Sequence, residues 1–549
     1  MPSNSTFCPY VSILIVLILA VSFPFFVMQD IASASDASFG NVYYENLAAG
    51  NVATGNSPAL NMPPNGAVLL IVDGLGAYYL FPELTGKSLD GESAGHAYLH
   101  TISYMWENGF RILRMKVPVP ATENGHSVIM TGNRKANAEI VGYANSTFLD
   151  VLRKEGFICI GVMQRGDFES MRNKFDVIIY DKTNSVNNMD FTVQKNDFPA
   201  SDPEMIRRLV SAFEAQQRKT SSYTNIKDTG EKYAAYNRFG LDAAAEALAV
   251  MENYPNQKFI LVINVGATDS TGHYRGYYAY LDSVDRLDAD LEKLFEKCRR
   301  NNLLFMLTAD HGMSFEALDK KSGGHSSTKY SKTNESLYIP FIVFGNTIKS
   351  NAVYGPDCGQ EDIAPTILSI FEIRSAPRFS QGNILPAKKY ASLYIEFPAA
   401  ESFELYRQDG DRNVSVFSTG GSFETFEAFE AFTAYSLSGL PPGNYLLKWQ
   451  NTSGNDYIQD EVRLLIEKDT TVDLSDYLKK PVLASFTDFN EGTTLFSSHF
   501  SSLFSSLFSS LSFSDISSFK LTKMAGFLFI GCINIAGGAA IYNFYKKRK

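Results

Sequence analysis

The sequence predicts an α/β protein: a mostly parallel sheet sandwiched by helices, then a small antiparallel β-sandwich, then a C-terminal transmembrane helix. Three observations carry this. Residues 66 to 388 alternate apolar runs ("GAVLLIVDG", "FICIGVM", "KFILVINVG", "NLLFMLTAD", "IPFIVFG") with amphipathic stretches such as 233 to 253 and 277 to 299, the pattern of buried parallel strands connected by helices. Residues 391 to 480 switch to short alternating runs, "SLYIEF", "SFELYR", "NVSVFS", "YLLKWQ" and "EVRLLIE", with the turn "GLPPGN", the texture of antiparallel strands. Finally, Met524 to Tyr545 form an uncharged apolar run followed by "KKRK", long enough to cross a bilayer.

Composition sets the outer limits. A chain of 549 residues with 45% hydrophobic and 13% aromatic residues is globular and exceeds one ordinary domain. Its net charge of −10, with no long basic run before the last four residues, excludes a broad nucleic-acid-binding surface. Two of the five cysteines, Cys8 and Cys532, lie inside apolar segments, and Cys159, Cys298 and Cys358 are widely spaced. Neither a disulfide framework nor a CxxC knuckle is available, so any metal here must use histidine and carboxylate.

The first element, Cys8 to Met28, is uncharged and as long as a membrane span, and "ASA" at 32 to 34 has the form of a signal-peptidase site. Residues 1 to 34 therefore read as a signal peptide or an N-terminal anchor, and both stand: the run lacks a preceding Lys or Arg and exceeds a usual signal core. Residues 35 to 65 are a linker to the α/β region of 66 to 388. The module of 391 to 480 ends in "YSLSGLPPGNYLLKW", similar to small immunoglobulin-like modules appended to secreted enzymes. From 481 to 523 the chain is rich in Ser, Phe and Leu, with "FSSHFSSLFSSLFSSL" repeating every four residues; it reads either as a flexible stalk or as a helix on the membrane surface. After the span at 524 to 545, the basic tail 546 to 549 places the C-terminus in the cytoplasm and everything before it outside. Cys532, Ala536 and Ala540 recur every four positions and offer a close helix contact for a homodimer.

The chemistry collects at strand ends. In an open parallel sheet, ligands bind beyond the carboxyl ends of the strands. Asp73 ends "AVLLIVDG"; Asp269 follows "KFILVINVGAT", with His273 four residues on; Asp310 and His311 end "LLFMLTADHG"; His325 lies in "GGHSS"; Thr122, in "PATENGHSVIMTG", precedes a helix-like run. Singly, each has an ordinary explanation, since acids after strands are turn chemistry and a Thr before a helix is usually a cap. Together, acids at three strand ends with histidines beside two of them form the donor set of a two-metal site.

In order along the chain, "VDGLG", "TENGHSVIMTG", "DSTGH", "TADHGM", "GGH" and "DIAPTIL" resemble the alkaline phosphatase superfamily. The resemblance implies an alkaline phosphatase-like catalytic domain and two divalent metal ions, Zn²⁺ or Mn²⁺. One would be held by Asp73, Asp310, His311 and the Thr122 oxygen, and the other by Asp269, His273 and His325. It makes Thr122 the catalytic nucleophile, forming a phospho-threonine, and offers Asn124 and Gly125 as substrate-binding residues; Lys116, Arg134 and His126 lie nearby in sequence as further candidates, and His126 reads more readily as a structural hydrogen-bonding residue of that helix. The nucleophile segment is similar to those of type I phosphodiesterases and nucleotide pyrophosphatases, cofactor-independent phosphoglycerate mutases and ethanolamine phosphate transferases. Where phosphodiesterases place an Asn, this chain has Gly125. A mutase needs a large Arg-rich insertion between the nucleophile and the second metal motif, which the spacing from Thr122 to Asp269 does not accommodate.

The expectation is thus a membrane-anchored, extracytoplasmic phosphoesterase acting by hydrolysis, or by transfer to an acceptor alcohol. The alternative of another class is an inactive surface scaffold, against which the intact set of seven residues argues. Sequons at Asn145, Asn334, Asn413 and Asn451 all fall between the apolar segments, available for glycosylation if that region is outside. Protease added to intact cells should remove the catalytic region and leave the C-terminal tail protected; the opposite pattern inverts the orientation.

Overall fold

The computed structural model describes residues 64–198, 202–397, 402–410, 412–418, 433–453 and 456–474. Both apolar terminal segments and the Ser/Phe/Leu-rich stretch lie outside these residues. Among the described residues, no helix is long and apolar enough to cross a membrane.

The α/β region contains β1 (Gly66–Val72), β2 (Phe110–Lys116), β3 (Ile158–Met163), β4 (Val177–Asp181), β5 (Phe191–Lys195), β6 (Phe259–Val265), β7 (Leu304–Thr308), β8 (Ser314–Phe315), β9 (Gly323–Gly324), β10 (Tyr338–Phe344), β11 (Ala352–Tyr354) and β12 (Cys358–Gly359). Ten of them form one sheet in the order β11-β2-β10-β7-β1-β6-β3-β4-β5, with β12 beside β2. The centre, β7-β1-β6-β3-β4, is parallel throughout. The sheet as a whole is mixed: β10 runs antiparallel to both β2 and β7, and β5 antiparallel to β4. All residues of β1, β3, β6 and β7 are buried. Strands covered on both faces have no solvent side to mark with polar residues, which is why they read as continuous apolar runs.

The long helices behave as their periodicity requires. Tyr277–Arg300 buries Tyr280, Val284, Leu287, Leu291, Leu294, Phe295 and Cys298, a stripe at three- and four-residue spacing, and packs against Thr229–Met251. The latter starts at Asp228, whose carboxylate accepts from the Glu231 amide.

Beyond residue 390 the strands are β13 (Ala391–Phe397), β14 (Ser402–Asp409), β15 (Arg412–Ser418), β16 (Thr433–Leu440), β17 (Gly443–Ser453), β18 (Asp456–Ile466) and β19 (Thr470–Asp473). They form two sheets, β16-β13-β19 and β15-β14-β17-β18. The pairing departs from the all-antiparallel expectation at one place: β13 and β19 are parallel. This is open to strands far apart in sequence, which no tight hairpin joins.

Three charged side chains tie this region to the α/β layers. The Lys388 ammonium lies 2.7 Å from Glu372 and 2.7 Å from Asp469 Oδ1. Asp469 also accepts from the Ser369 hydroxyl and the Ser392 amide. Lys388 and Asp469 are nearly inaccessible, with side-chain exposures of 8% and 3%. Lys388→Met removes the shared cation and leaves a buried carboxylate, which should cost about 3–5 kcal/mol; equilibrium urea unfolding followed by tryptophan fluorescence checks it.

Candidate metal centre

The carboxyl ends of β1, β6 and β7 lie side by side in the sheet, so the acids that follow them meet although they are far apart in sequence. Asp73 comes one residue after β1, Asp310 two after β7, and Asp269 enters on the first turn of the helix Ala267–Arg275 after β6. All three are buried, at 0%, 0% and 1% exposure. Asp310 Oδ1 accepts from the Gly74 and His311 amides at 3.0 and 2.9 Å. Both oxygens of Asp73, Oδ1 of Asp269 and Oδ2 of Asp310 are buried without a hydrogen-bond partner.

The histidines present their free nitrogens to these oxygens. His311 Nδ1 faces the Gly312 carbonyl at 2.9 Å, His325 Nδ1 the Pro120 carbonyl at 2.7 Å, and His273 Nδ1 the Gly323 carbonyl at 3.2 Å. A carbonyl only accepts, so each Nδ1 carries the proton and each Nε2 is left with a lone pair directed inward, the arrangement that orients metal-binding imidazoles. His311 Nε2 is 3.5 Å from Asp73 Oδ1, 3.4 Å from Asp310 Oδ2 and 3.1 Å from Thr122 Oγ1. His325 Nε2 lies 3.0 Å from His273 Nε2, and both lie within 3.5 Å of Asp269 Oδ1. The His311 and His325 rings stack at 3.6 Å. Two donor groups result, Asp269–His273–His325 and Asp73–Asp269–His311, each with its atoms within 4.8 Å of one another. Asp269 belongs to both, so the structure does not separate the two sets as cleanly as the motifs do.

The electrostatics are those of a site built for cations. Burial, then repulsion from Asp310 and Asp269, pushes Asp73 well above the usual carboxylate range. Burial likewise raises Asp310. Burial acts on Asp269 too, but the neighbouring His273 imidazole and the charge of Arg165 more than offset it and hold that carboxyl low. Carboxylates with unpartnered buried oxygens, facing three imidazole lone pairs, fit divalent metal ions, which would reverse the repulsion.

Thr122 opens the helix Thr122–Thr131. The helix is held close to the metal-side loop by Gly125: a Cβ there would overlap the Asp310 carbonyl. Gly125 packs on that loop, and its amide donates to the Ala121 carbonyl. His126 has the surroundings of the structural reading: it is fully buried, with Nδ1 on the Thr122 carbonyl and Nε2 facing Asn264, and burial lowers its pKa. Asn124 remains partly exposed in the first turn. Arg134 pairs with Glu361, and Lys116 is an exposed residue at the end of β2.

One residue of the site was missed by reading only acids and histidines at strand ends. Arg165 follows β3 in "VMQRG", and its guanidinium reaches Asp269 Oδ2 and the Ser270 hydroxyl at 2.7 and 2.5 Å. Its position two residues past an apolar strand was the available signal.

Residues 65–375 match the family model described as the metalloenzyme superfamily. The match covers more than half of the chain, which belongs to this superfamily, in keeping with the alkaline phosphatase-like motifs. A 2,3-bisphosphoglycerate-independent phosphoglycerate mutase of Mycoplasma pneumoniae is 27% identical over 137 residues, 25% of each chain. A probable enzyme of the same name from Leptospira interrogans is 32% identical over 133 residues, 23% of this chain and 24% of the other. The chain thus spans about a quarter of the length of these curated relatives. Among solved structures, wild-type alkaline phosphatase PafA aligns at 14% identity and a TM-score of 0.42, over 59% of this chain and 98% of that one, a likeness too loose to carry an argument.

Burial, the largest influence on each, holds His311 and His325 at about 4, whereas an unfolded histidine titrates near ~6.5. Between those values the unfolded chain takes up protons that the folded one does not, so the metal-stripped protein should lose stability as the pH falls from about 6.5 to about 4. Urea midpoints across that window check this, and His325→Asn should flatten the dependence.

Proposed function

We propose that this chain is a membrane-anchored, extracytoplasmic phosphoesterase of the phosphodiesterase and nucleotide pyrophosphatase type, with Thr122 as nucleophile and two divalent cations, zinc or manganese. One observation carries the reading: three imidazole lone pairs and the unpartnered oxygens of three buried carboxylates converge beside the Thr122 hydroxyl. The carboxylate and imidazole donors suit Zn²⁺, and Mn²⁺ fits the oxygen-rich side. Asp73, Asp310, His311 and Thr122 would hold one ion and Asp269, His273 and His325 the other, with Asp269 close enough to serve both. When bound, such ions polarise phosphoryl oxygens and make an alcohol or water nucleophilic at neutral pH.

The protein's own groups account for the rest. Thr122 Oγ attacks phosphorus, and the bond to the leaving-group oxygen breaks, giving phospho-threonine. Water then cleaves the Oγ–P bond and restores the hydroxyl; an acceptor alcohol in its place makes the reaction a transfer. The helix beginning at Thr122 points its positive end at the attacked group, and Arg165, drawn to Asp269, is a second positive group for non-bridging oxygens. The mutase activity named for the curated relatives is less well supported: the strands of the interval from Thr122 to Asp269, β3 to β6, all belong to the one central sheet, leaving no separate inserted sheet among the described residues. The membrane placement rests on the apolar run 524 to 545 and the basic tail.

The test is full-length protein in detergent, assayed with p-nitrophenyl phosphate, bis-p-nitrophenyl phosphate and a nucleotide, with and without an acceptor alcohol. Thr122→Ala should abolish turnover while about two metal ions per chain remain, since the other donors of both sites are intact; the N-cap is Ala121 and Thr122 makes no cap hydrogen bond, so loss of a cap does not enter the comparison. A His325→Ala protein should accumulate a phosphoryl adduct on the peptide containing Thr122, and His311→Ala should not. Wild-type protein that purifies without metal and without turnover would favour the scaffold reading.

A further inference from the structure

β6 reads "FILVINV" and is buried along its whole length, yet it contains one amide, Asn264, with no exposure. An amide in such a place costs about 2 kcal/mol or more unless both ends are hydrogen-bonded. Its partners lead to the two sides of the proposed reaction centre. The Arg165 amide N–H donates to Asn264 Oδ1 at 2.9 Å. That fixes the side-chain amide, because Oδ1 must be the acceptor end, so Nδ2 is the end facing His126 Nε2 at 3.3 Å. Nδ2 only donates, so His126 Nε2 is the acceptor, Nδ1 carries the proton, and it donates to the Thr122 carbonyl at 3.0 Å. The Thr122 carbonyl, which only accepts, demands the same polarity from the other end.

A second observation joins the same ends. Gly166, directly after Arg165, packs on the nucleophile: a Cβ there would overlap Thr122 Cγ2 and come within 3.1 Å of the His126 ring. Arg165 then extends its guanidinium to Asp269.

We propose that Asn264 and His126 are positioning residues, a buried brace anchored in the central sheet that fixes the distance between the Thr122 nucleophile and the Arg165 guanidinium. The proposal rests on Thr122 being the nucleophile. The brace makes no contact with substrate; it acts through the backbone of Thr122 on one side and of Arg165 on the other. Breaking either hydrogen bond breaks the same linkage, so the two residues act as a unit.

The experiment compares His126→Phe, Asn264→Leu and the double variant, with His126→Asn as the conservative change that keeps a donor toward the Thr122 carbonyl. Each single variant should lower kcat per metal-loaded molecule on bis-p-nitrophenyl phosphate about 100-fold with metal content unchanged, the scale of a nucleophile displaced by roughly an ångström. The double variant should be no worse than either single within about threefold, and His126→Asn, which keeps the bond to the Thr122 carbonyl but not the one from Asn264, should be no better than Asn264→Leu within about threefold, as expected of groups acting together. Independently of turnover, ¹⁵N shifts of histidine-labelled, metal-free protein should show His126 protonated at Nδ1, and Asn264→Leu should shift its Nε2 resonance. Multiplying losses in the double variant, an unchanged kcat, or a His126 resonance indifferent to Asn264→Leu would each overturn the brace. If wild-type and Thr122→Ala proteins turn over alike, the nucleophile assignment has failed, and the nitrogen shifts alone then decide whether the linkage exists.

Discussion

Three carboxylates held together out of water are the constraint on which this structure turns. Asp73, Asp269 and Asp310 reach one place because β1, β6 and β7 are adjacent and parallel, so their carboxyl ends open at the same edge of the sheet. Uncompensated, charges so placed repel strongly at low dielectric. The rest of the centre answers that repulsion: backbone amides on Asp310, a guanidinium on Asp269, and three imidazoles whose protons are committed to carbonyls so that their lone pairs face inward. Divalent cations complete the compensation in this superfamily of metalloenzymes.

Close backbone approach makes the arrangement compact. Gly125 lets the helix Thr122–Thr131 rest on the Asp310 carbonyl, and the Arg165–Gly166 turn closes on Thr122 from the other side. Thr122 is thereby held between two loops of the sheet by the first turn of its helix. Fixing such groups before substrate arrives removes reorganisation from the chemical step. The β-strand region after residue 390 is tied to the α/β layers by buried ions around Lys388 and Asp469, far in sequence from the centre.

Much of this was legible in the residues. Buried parallel strands announce themselves as uninterrupted apolar runs, and the helices at 229–251 and 277–300 follow from amphipathic spacing. Asp73, Asp269, His273, Asp310, His311 and His325 could be singled out because strand ends and short motifs are local signals, and the structure brings them to one place. Less legible were the antiparallel β10 and β5 and the parallel β13–β19 pair, since strand direction depends on partners remote in sequence. Gly125 was offered as a substrate contact by resemblance and His126 by nearness to Thr122, but on a helix whose C-terminal part is buried the residues after Asn124 turn into the core.

By itself, then, the sequence determined which side chains could bind cations and at which strand ends they would lie, because strand, turn and donor spacing are properties of short stretches of chain. Only the tertiary structure decided that Asp269 belongs to both donor groups, that Arg165 enters the centre, and that Asn264 in an apolar strand reaches His126 on the helix Thr122–Thr131. The Arg165 and Asn264 contacts join residues more than a hundred positions apart. They depend on the order of strands in the sheet, which no local pattern of residue types encodes.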